Sequence, residues 1–367
     1  MSTFHKSFIF AIVVMSSFVS SWIALEACTG IKLIAKDGTL VHGRTLEFGV
    51  PVKVSVVVVP RGYQFSGTTP QGKGLSYKAK YGAVGSISFN DIAIMDGMNE
   101  KGLAVGTFYF PGFAGYSKIT SENQQKALSP IEFSNWIVTQ FATVEEVKSA
   151  LQSVVIAPTV VETWGNEPAP FHYIVYDKSG RSLVIEPING KLTTYDNPLG
   201  VMTNSPTFDW HMTNLRNFIN LTAKNAQPIK IDNLTLAPFG QGSGMVGLPG
   251  DFTPPSRFVR AAIYCINAIP SKNASEGVYQ AFHILNQFDI PMGLSRESTG
   301  SSTKIASDYT QVTCVRDPES LKYYFKTYDD QSIKYVDLTA FDLNATEIKR
   351  ADASGEEKAS DISSNLR

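Results

Sequence analysis

Cysteine is scarce: Cys28, Cys265 and Cys314 are the only three in 367 residues. So few thiols exclude a disulfide-stapled scaffold. Metal-ligand spacing is missing too, because no CxxC or HExxH occurs and His42, His172, His211 and His283 are scattered, so no metal is expected. Charge of one sign is absent. Thirty-two Lys and Arg face 33 Asp and Glu, a net charge of −1, and no basic run interleaves with aromatics, which argues against nucleic acid and anionic membranes as partners. A serine nucleophile lacks its G-x-S-x-G frame around Gly242-Ser243-Gly244. Gly242, Gly244 and Gly247 match G-x-G-x-x-G, yet Pro249-Gly250 breaks the chain where a dinucleotide site needs a helix N-terminus, so no cofactor is expected.

One apolar run stands out, residues 8–19, and it is too short to span a bilayer comfortably. With His5 and Lys6 before it and small Ala27 at its far end, residues 1–27 read as a secretory signal, and the protein as exported, periplasmic or secreted, without stable membrane insertion. Cleavage after Ala27 makes Cys28 the first residue. Its thiol and free α-amine then sit on one residue, and an amine with a reference pKa of about 7.7–8.0 can take the thiol proton. A second reading stays open: Leu25-Glu26-Ala27-Cys28 resembles a lipoprotein box, which would make Cys28 a lipid anchor on a binding protein.

Beyond Cys28, 43% hydrophobic and 18% charged residues describe an ordinary globular chain. Residues 28–35, 39–47 and 52–60 are β-rich, with a hairpin signal at Lys36-Asp37-Gly38, and residue 28 is expected to begin an inner strand. Turns at Asn99-Glu100-Lys101-Gly102, Asp177-Lys178-Ser179-Gly180 and Asn189-Gly190 punctuate further strands, and 311–338 is strand-like. Ser129-Pro130 starts a helix over 131–141, Thr143-Val144-Glu145-Glu146 is a capping box for a helix through 154, and 256–268 and 275–288 have helical spacing. His283 lies in the last of these and reads as a core histidine. Strands and helices in separate runs predict an α+β fold of layers around antiparallel sheets. No repeat or linker divides the chain, so residues 28–345 read as one domain and 346–367 as a polar, disordered tail. Cys265 and Cys314 read as small buried hydrophobes, although a bridge between them is conceivable.

Several strings then carry a resemblance: Cys28-Thr29-Gly30, Gly43-Arg44-Thr45, Asp96-Gly97-Met98-Asn99-Glu100-Lys101-Gly102-Leu103, Met202 through Trp210 (MTNSPTFDW) and Gly247 through Phe258 (GLPGDFTPPSRF). In that order they resemble the choloylglycine hydrolase family of bile salt hydrolases and penicillin V acylases. The resemblance implies an N-terminal nucleophile hydrolase with a four-layer αββα sandwich, two antiparallel sheets flanked by helices. It further implies a small-molecule N-acyl substrate, such as a conjugated bile acid, penicillin V or an N-acyl homoserine lactone, and a possible homotetramer. Carried over by position, Cys28 is the nucleophile, Arg44 lies beside it, and Glu47 stands where many members have aspartate. Tyr109 and Asn204 take the oxyanion positions, and Arg257 completes the site. Two arginines beside a thiol favour its thiolate, and an amide donor such as Asn204 suits a tetrahedral oxyanion. Phe48, Tyr81, Phe110 and Trp164 are candidates for an apolar acyl pocket.

Overall fold

The computed structural model describes residues 27–49, 51–88, 92–160, 167–296, 307–356 and 360–366. Residues 1–26 and Trp164, and with them most of the expected leader, lie outside the described residues. In chain order the main strands are β1 (Cys28–Ile34), β2 (Leu40–Phe48), β3 (Val54–Val59), β4 (Ala83–Ser88), β5 (Ile94–Asn99), β6 (Ala104–Tyr109), β7 (Phe171–Tyr176), β8 (Ser182–Ile188), β9 (Lys191–Asp196), β10 (Ser295–Arg296), β11 (Ser307–Asp317), β12 (Lys322–Thr327), β13 (Lys334–Asp337) and β14 (Lys349–Asp352). They form two antiparallel sheets. The first runs β1-β2-β11-β12-β13 with β10 on β11, and the second runs β9-β8-β7-β6-β5-β4-β3-β14.

The helices α1 (Phe133–Gln140), α2 (Val144–Ala150), α3 (Phe208–Leu215), α4 (Pro254–Asn267) and α5 (Ala274–Leu285) complete the layers. α4 and α5 pack on the first sheet and α1 on the second, the αββα order of an N-terminal nucleophile hydrolase. Their starts follow the local sequence. Thr143 Oγ1 accepts from the Glu146 N–H at the start of α2, Asn273 Oδ1 does the same for Glu276 at α5, and two prolines open α4, where a missing N–H costs nothing. On the first sheet, Gly43 lets α5 approach, because a Cβ there would meet Leu285 Cδ1 at 2.7 Å.

Three expectations need correction. β1 is the terminal strand of its sheet, not an inner one; Gly30 and Met202 exchange backbone hydrogen bonds of 2.7 and 3.1 Å, and that segment covers the edge. Residues 346–367 are not all tail, since β14 pairs with β3 from Lys349↔Val58 to Asp352↔Ser55. Finally, His283 is exposed. The buried face of α5 is Ala274, Gly277, Val278, Ala281, Phe282 and Leu285, and position 283 falls off it. Among the described residues the buried histidines are His42, His172 and His211.

Candidate active site

β1 and β2 pair from Cys28↔Leu46 to Ile34↔Leu40, so alternation puts Cys28, Gly30 and Arg44 on the face turned to the second sheet. The Arg44 guanidinium crosses that interface. Its Nη2 donates to Cys28 Sγ at 2.8 Å, Nη1 donates to Thr107 O at 2.8 Å and Met95 O at 3.4 Å, and Nε donates to Thr45 O at 3.1 Å. The cation lies over the Phe108 ring, 4.4 Å from its centroid. Gly30 makes room for that ring, as a Cβ there would come within 2.9 Å of Phe108 Cζ.

The backbone of residue 28 is held as firmly as its thiol. Its N–H donates to Asn204 Oδ1 at 2.8 Å, and its carbonyl accepts from Arg257 Nη1. Arg257 also donates from Nη1 to Thr29 Oγ1 at 2.9 Å and from Nη2 to Asn204 Oδ1 at 2.7 Å. This side chain leaves the first turn of α4 and is fully buried. Burial pulls its pKa below the usual guanidinium range, against the attraction of Glu47 and Cys28. The Asn204 carboxamide therefore faces two ways: Oδ1 takes Cys28 and Arg257, and Nδ2 donates to Tyr109 O at 2.9 Å, leaving a second N–H on the same nitrogen.

Glu47 is buried on β2. Burial pushes its carboxyl up to about 7, only partly opposed by Arg257. Oε1 accepts from Thr310 Oγ1 at 2.9 Å, and Oε2 has no partner among the described residues. The Glu47 backbone N–H donates to Ala27 O at 3.1 Å, so the carbonyl before Cys28 is held within the strand pair. The side chain of Tyr109, at the end of β6, is buried and meets Phe171 edge-on, centroids 6.5 Å apart.

All six residues singled out in the sequence, Cys28, Arg44, Glu47, Tyr109, Asn204 and Arg257, thus converge where β1, β2, the end of β6, the residues after Met202 and the start of α4 meet. The other two thiols are ill-suited to nucleophilic work, because burial pushes both Cys265 and Cys314 up to about 12. Cys265 and Cys314 are free and form no bridge with each other. Of the pocket aromatics, Phe48 and Phe110 are buried near these residues. Tyr81 is not among them: it precedes Ala83, which pairs with Asn99 at the opposite end of the second sheet from Tyr109. Sequence reading passed over Thr107, Phe108 and Thr310, whose contributions are a carbonyl, a ring face and a hydroxyl. Among the described residues no cluster could hold a metal ion, and no helix is long and apolar enough to cross a membrane.

Against known proteins, residues 28–351 match the family model for linear amide C–N hydrolases of the choloylglycine hydrolase family. A bile salt hydrolase/transferase of Clostridium perfringens is 35% identical over 88% of this chain and 95% of its own. A penicillin V acylase of Pectobacterium atrosepticum is 30% identical over 81% of this chain and 77% of its own. The crystal structure of a variant of conjugated bile acid hydrolase from Clostridium perfringens superposes with a TM-score of 0.80 at 33% identity, covering 91% of this chain and 100% of that one.

Proposed function

Because this chain belongs to the choloylglycine hydrolase family of linear amide C–N hydrolases, we propose that Cys28, freed of residues 1–27, is its nucleophile and that conjugated bile acids are its first-choice substrates. The chain is an amide hydrolase; the roles of single residues and the substrate are the proposal. One observation carries it: a guanidinium nitrogen 2.8 Å from Cys28 Sγ on a residue whose own nitrogen is held at 2.8 Å by Asn204.

In this mechanism the α-amine takes the thiol proton and Arg44 favours the thiolate. Sulfur attacks the amide carbonyl, and the oxyanion is met by the second N–H of Asn204 Nδ2 beside the Tyr109 backbone. The C–N bond breaks as the α-ammonium protonates the departing amine, leaving a thioester on Sγ. Water, deprotonated by the same amine, attacks the thioester and releases the acid and the thiol. Arg257 fixes the carbonyl of residue 28, and Glu47 is the countercharge that turns the ammonium. Bile acid relatives support the substrate choice, and the penicillin V acylase relative supports phenoxyacetyl amides as the alternative.

The test is a hydrolysis panel of glycocholate, taurocholate, penicillin V and N-acyl homoserine lactones, run on protein beginning at Cys28 and on the uncleaved chain. Turnover is expected only from the first, and Cys28→Ala should abolish it for every substrate; full activity in Cys28→Ala would refute the mechanism. We also propose export by residues 1–27, which intact mass of the exported protein checks. A start at unmodified Cys28 supports it, whereas a diacylglycerol adduct would move the protein to the class of lipid-anchored binding proteins. Assembly as a homotetramer is proposed on family grounds, supported by the exposed Ile229, Ile231, Leu234 and Leu236 of one hairpin, and is read by light scattering.

A further inference from the structure

We propose that His172 and His211, buried and outside the proposed reaction, are positioning residues that together fix Asn204. The imidazole Nε2 of His172 lies 3.0 Å from Thr203 O, and that of His211 lies 2.9 Å from Asn204 O. These are the two carbonyls flanking the Asn204 Cα. A carbonyl only accepts, so each ring must carry its proton on Nε2. His211 Nδ1 has no partner among the described residues, which fits a neutral ring, and burial brings this imidazole down to about 4. His172 Nδ1 instead faces Glu186 Oε1 at 3.4 Å, and that oxygen also accepts from the Phe208 N–H at 2.8 Å. Glu186 thereby sets the ring's orientation from β8.

The rings also tie Asn204 to its own partners. His172 stacks on Phe110, centroids 4.2 Å apart and planes 8° apart, and His211 stacks on Phe258 at 4.6 Å and 14°. Phe110 follows Tyr109, whose carbonyl takes Asn204 Nδ2; Phe258 follows Arg257, which donates to Asn204 Oδ1. Each imidazole thus links the Asn204 main chain to the segment that holds one end of its carboxamide. Neighbouring bonds finish the hold: Thr203 Oγ1 donates to Pro254 O at 3.1 Å and Ser205 Oγ to Pro111 O at 2.7 Å. Catalytic geometry tolerates little slack, and misplacement by about 1 Å can cost about 100-fold in rate.

The inference rests on the proposed role of Asn204, and its test separates the two. Enzyme beginning at Cys28 is assayed with the panel's best substrate as Asn204→Ala, His211→Phe, His211→Gln, His172→Phe and His172→Gln. The phenylalanine variants keep the stacking and lose the donor; kcat should fall about 10- to 100-fold with KM within about twofold. The glutamine variants regain an N–H and should recover most of kcat. Folded phenylalanine variants with wild-type kcat, or glutamine variants as impaired as they are, would overturn the clamp. Collapse in Asn204→Ala without loss in the histidine variants sinks the clamp alone, and wild-type rate in Asn204→Ala removes the site assignment with it. Nitrogen-15 histidine spectra of the unsubstituted protein cover variants that do not fold: protonated Nε2 at both rings is expected, and an Nδ1-protonated tautomer at His211 would overturn the proposal.

Discussion

Arg44 and Arg316 occupy nearly equivalent places and do different things. They sit on adjacent strands β2 and β11, where Arg44 faces Cys314 and Arg316 faces His42. Both cross the gap between the sheets, to Thr107 O and Val105 O of the same strand β6, and both are 1% exposed. Arg316 meets the Asp96 carboxylate at 2.7 Å. Arg44 spends its donors on carbonyls and on a thiol. Of these two cations, one is matched by an anion and the other is aimed at a group able to become an anion. Embedding alone does not distinguish Arg316 from Arg44, the arginine proposed for the site; the partner at the end of the guanidinium does.

The contrast breaks most directly at Arg316→Met. This leaves Asp96 buried without its cation and should cost about 3–5 kcal/mol in chemical denaturation, while the folded fraction keeps near-normal kcat. Adding Asp96→Asn should return much of that stability, and a loss of kcat matching that of an Arg44 variant would end the distinction. Arg44→Lys is the mirror experiment. A point charge cannot reach Sγ and the Thr107 carbonyl together, so kcat/KM should drop about 100- to 1,000-fold with a smaller shift in denaturation midpoint than Arg316→Met.

Glu47 sharpens the comparison through pH. Its ordinary value is 4.5 and burial raises it to about 7 in the uncleaved chain, so between these the unfolded state has released a proton that the folded state keeps. The contribution is fully present below pH 4.5 and is lost as pH rises to about 7, on the order of 3 kcal/mol. Glu47→Gln should flatten that part of a stability–pH curve; an unchanged slope would assign it to another group. The smallest effect is expected from Thr310→Val. It removes the hydroxyl between Glu47 Oε1 and the Ile290 N–H, costs about 1 kcal/mol, and moves the Glu47 window to higher pH.

Much of the architecture was legible because it is written locally. Gly38, Gly180 and Gly190 have positive φ at the turns where the sequence placed them, and Thr143 caps α2 with its Glu three residues on. What failed depends on distance or on solvent. β14 reads Lys-Arg-Ala-Asp, a polar tail by composition, because it is an exposed edge strand on the buried β3. Cys28 could be named from the leader before it, but Arg44, Glu47, Tyr109, Asn204 and Arg257 only through strings similar to a family's; nothing near Asn204 says that its oxygen meets a nitrogen 176 positions earlier. His172 and His211 carried no signal at all, since their partners are main-chain carbonyls, which every residue offers.

The bond between Glu47 N–H and the carbonyl of Ala27 has one further consequence for the proposed maturation. Thiol, guanidinium and carboxamide already stand in place around residue 28 while residue 27 is attached, so under that proposal dormancy of the uncleaved chain would be chemical, not conformational. Such a lock has no equilibrium to tip: neither ligand nor temperature could release a fraction of activity early, and once the peptide bond is gone nothing could restore it. Enzyme output would then count scission events, one active centre for each bond cut.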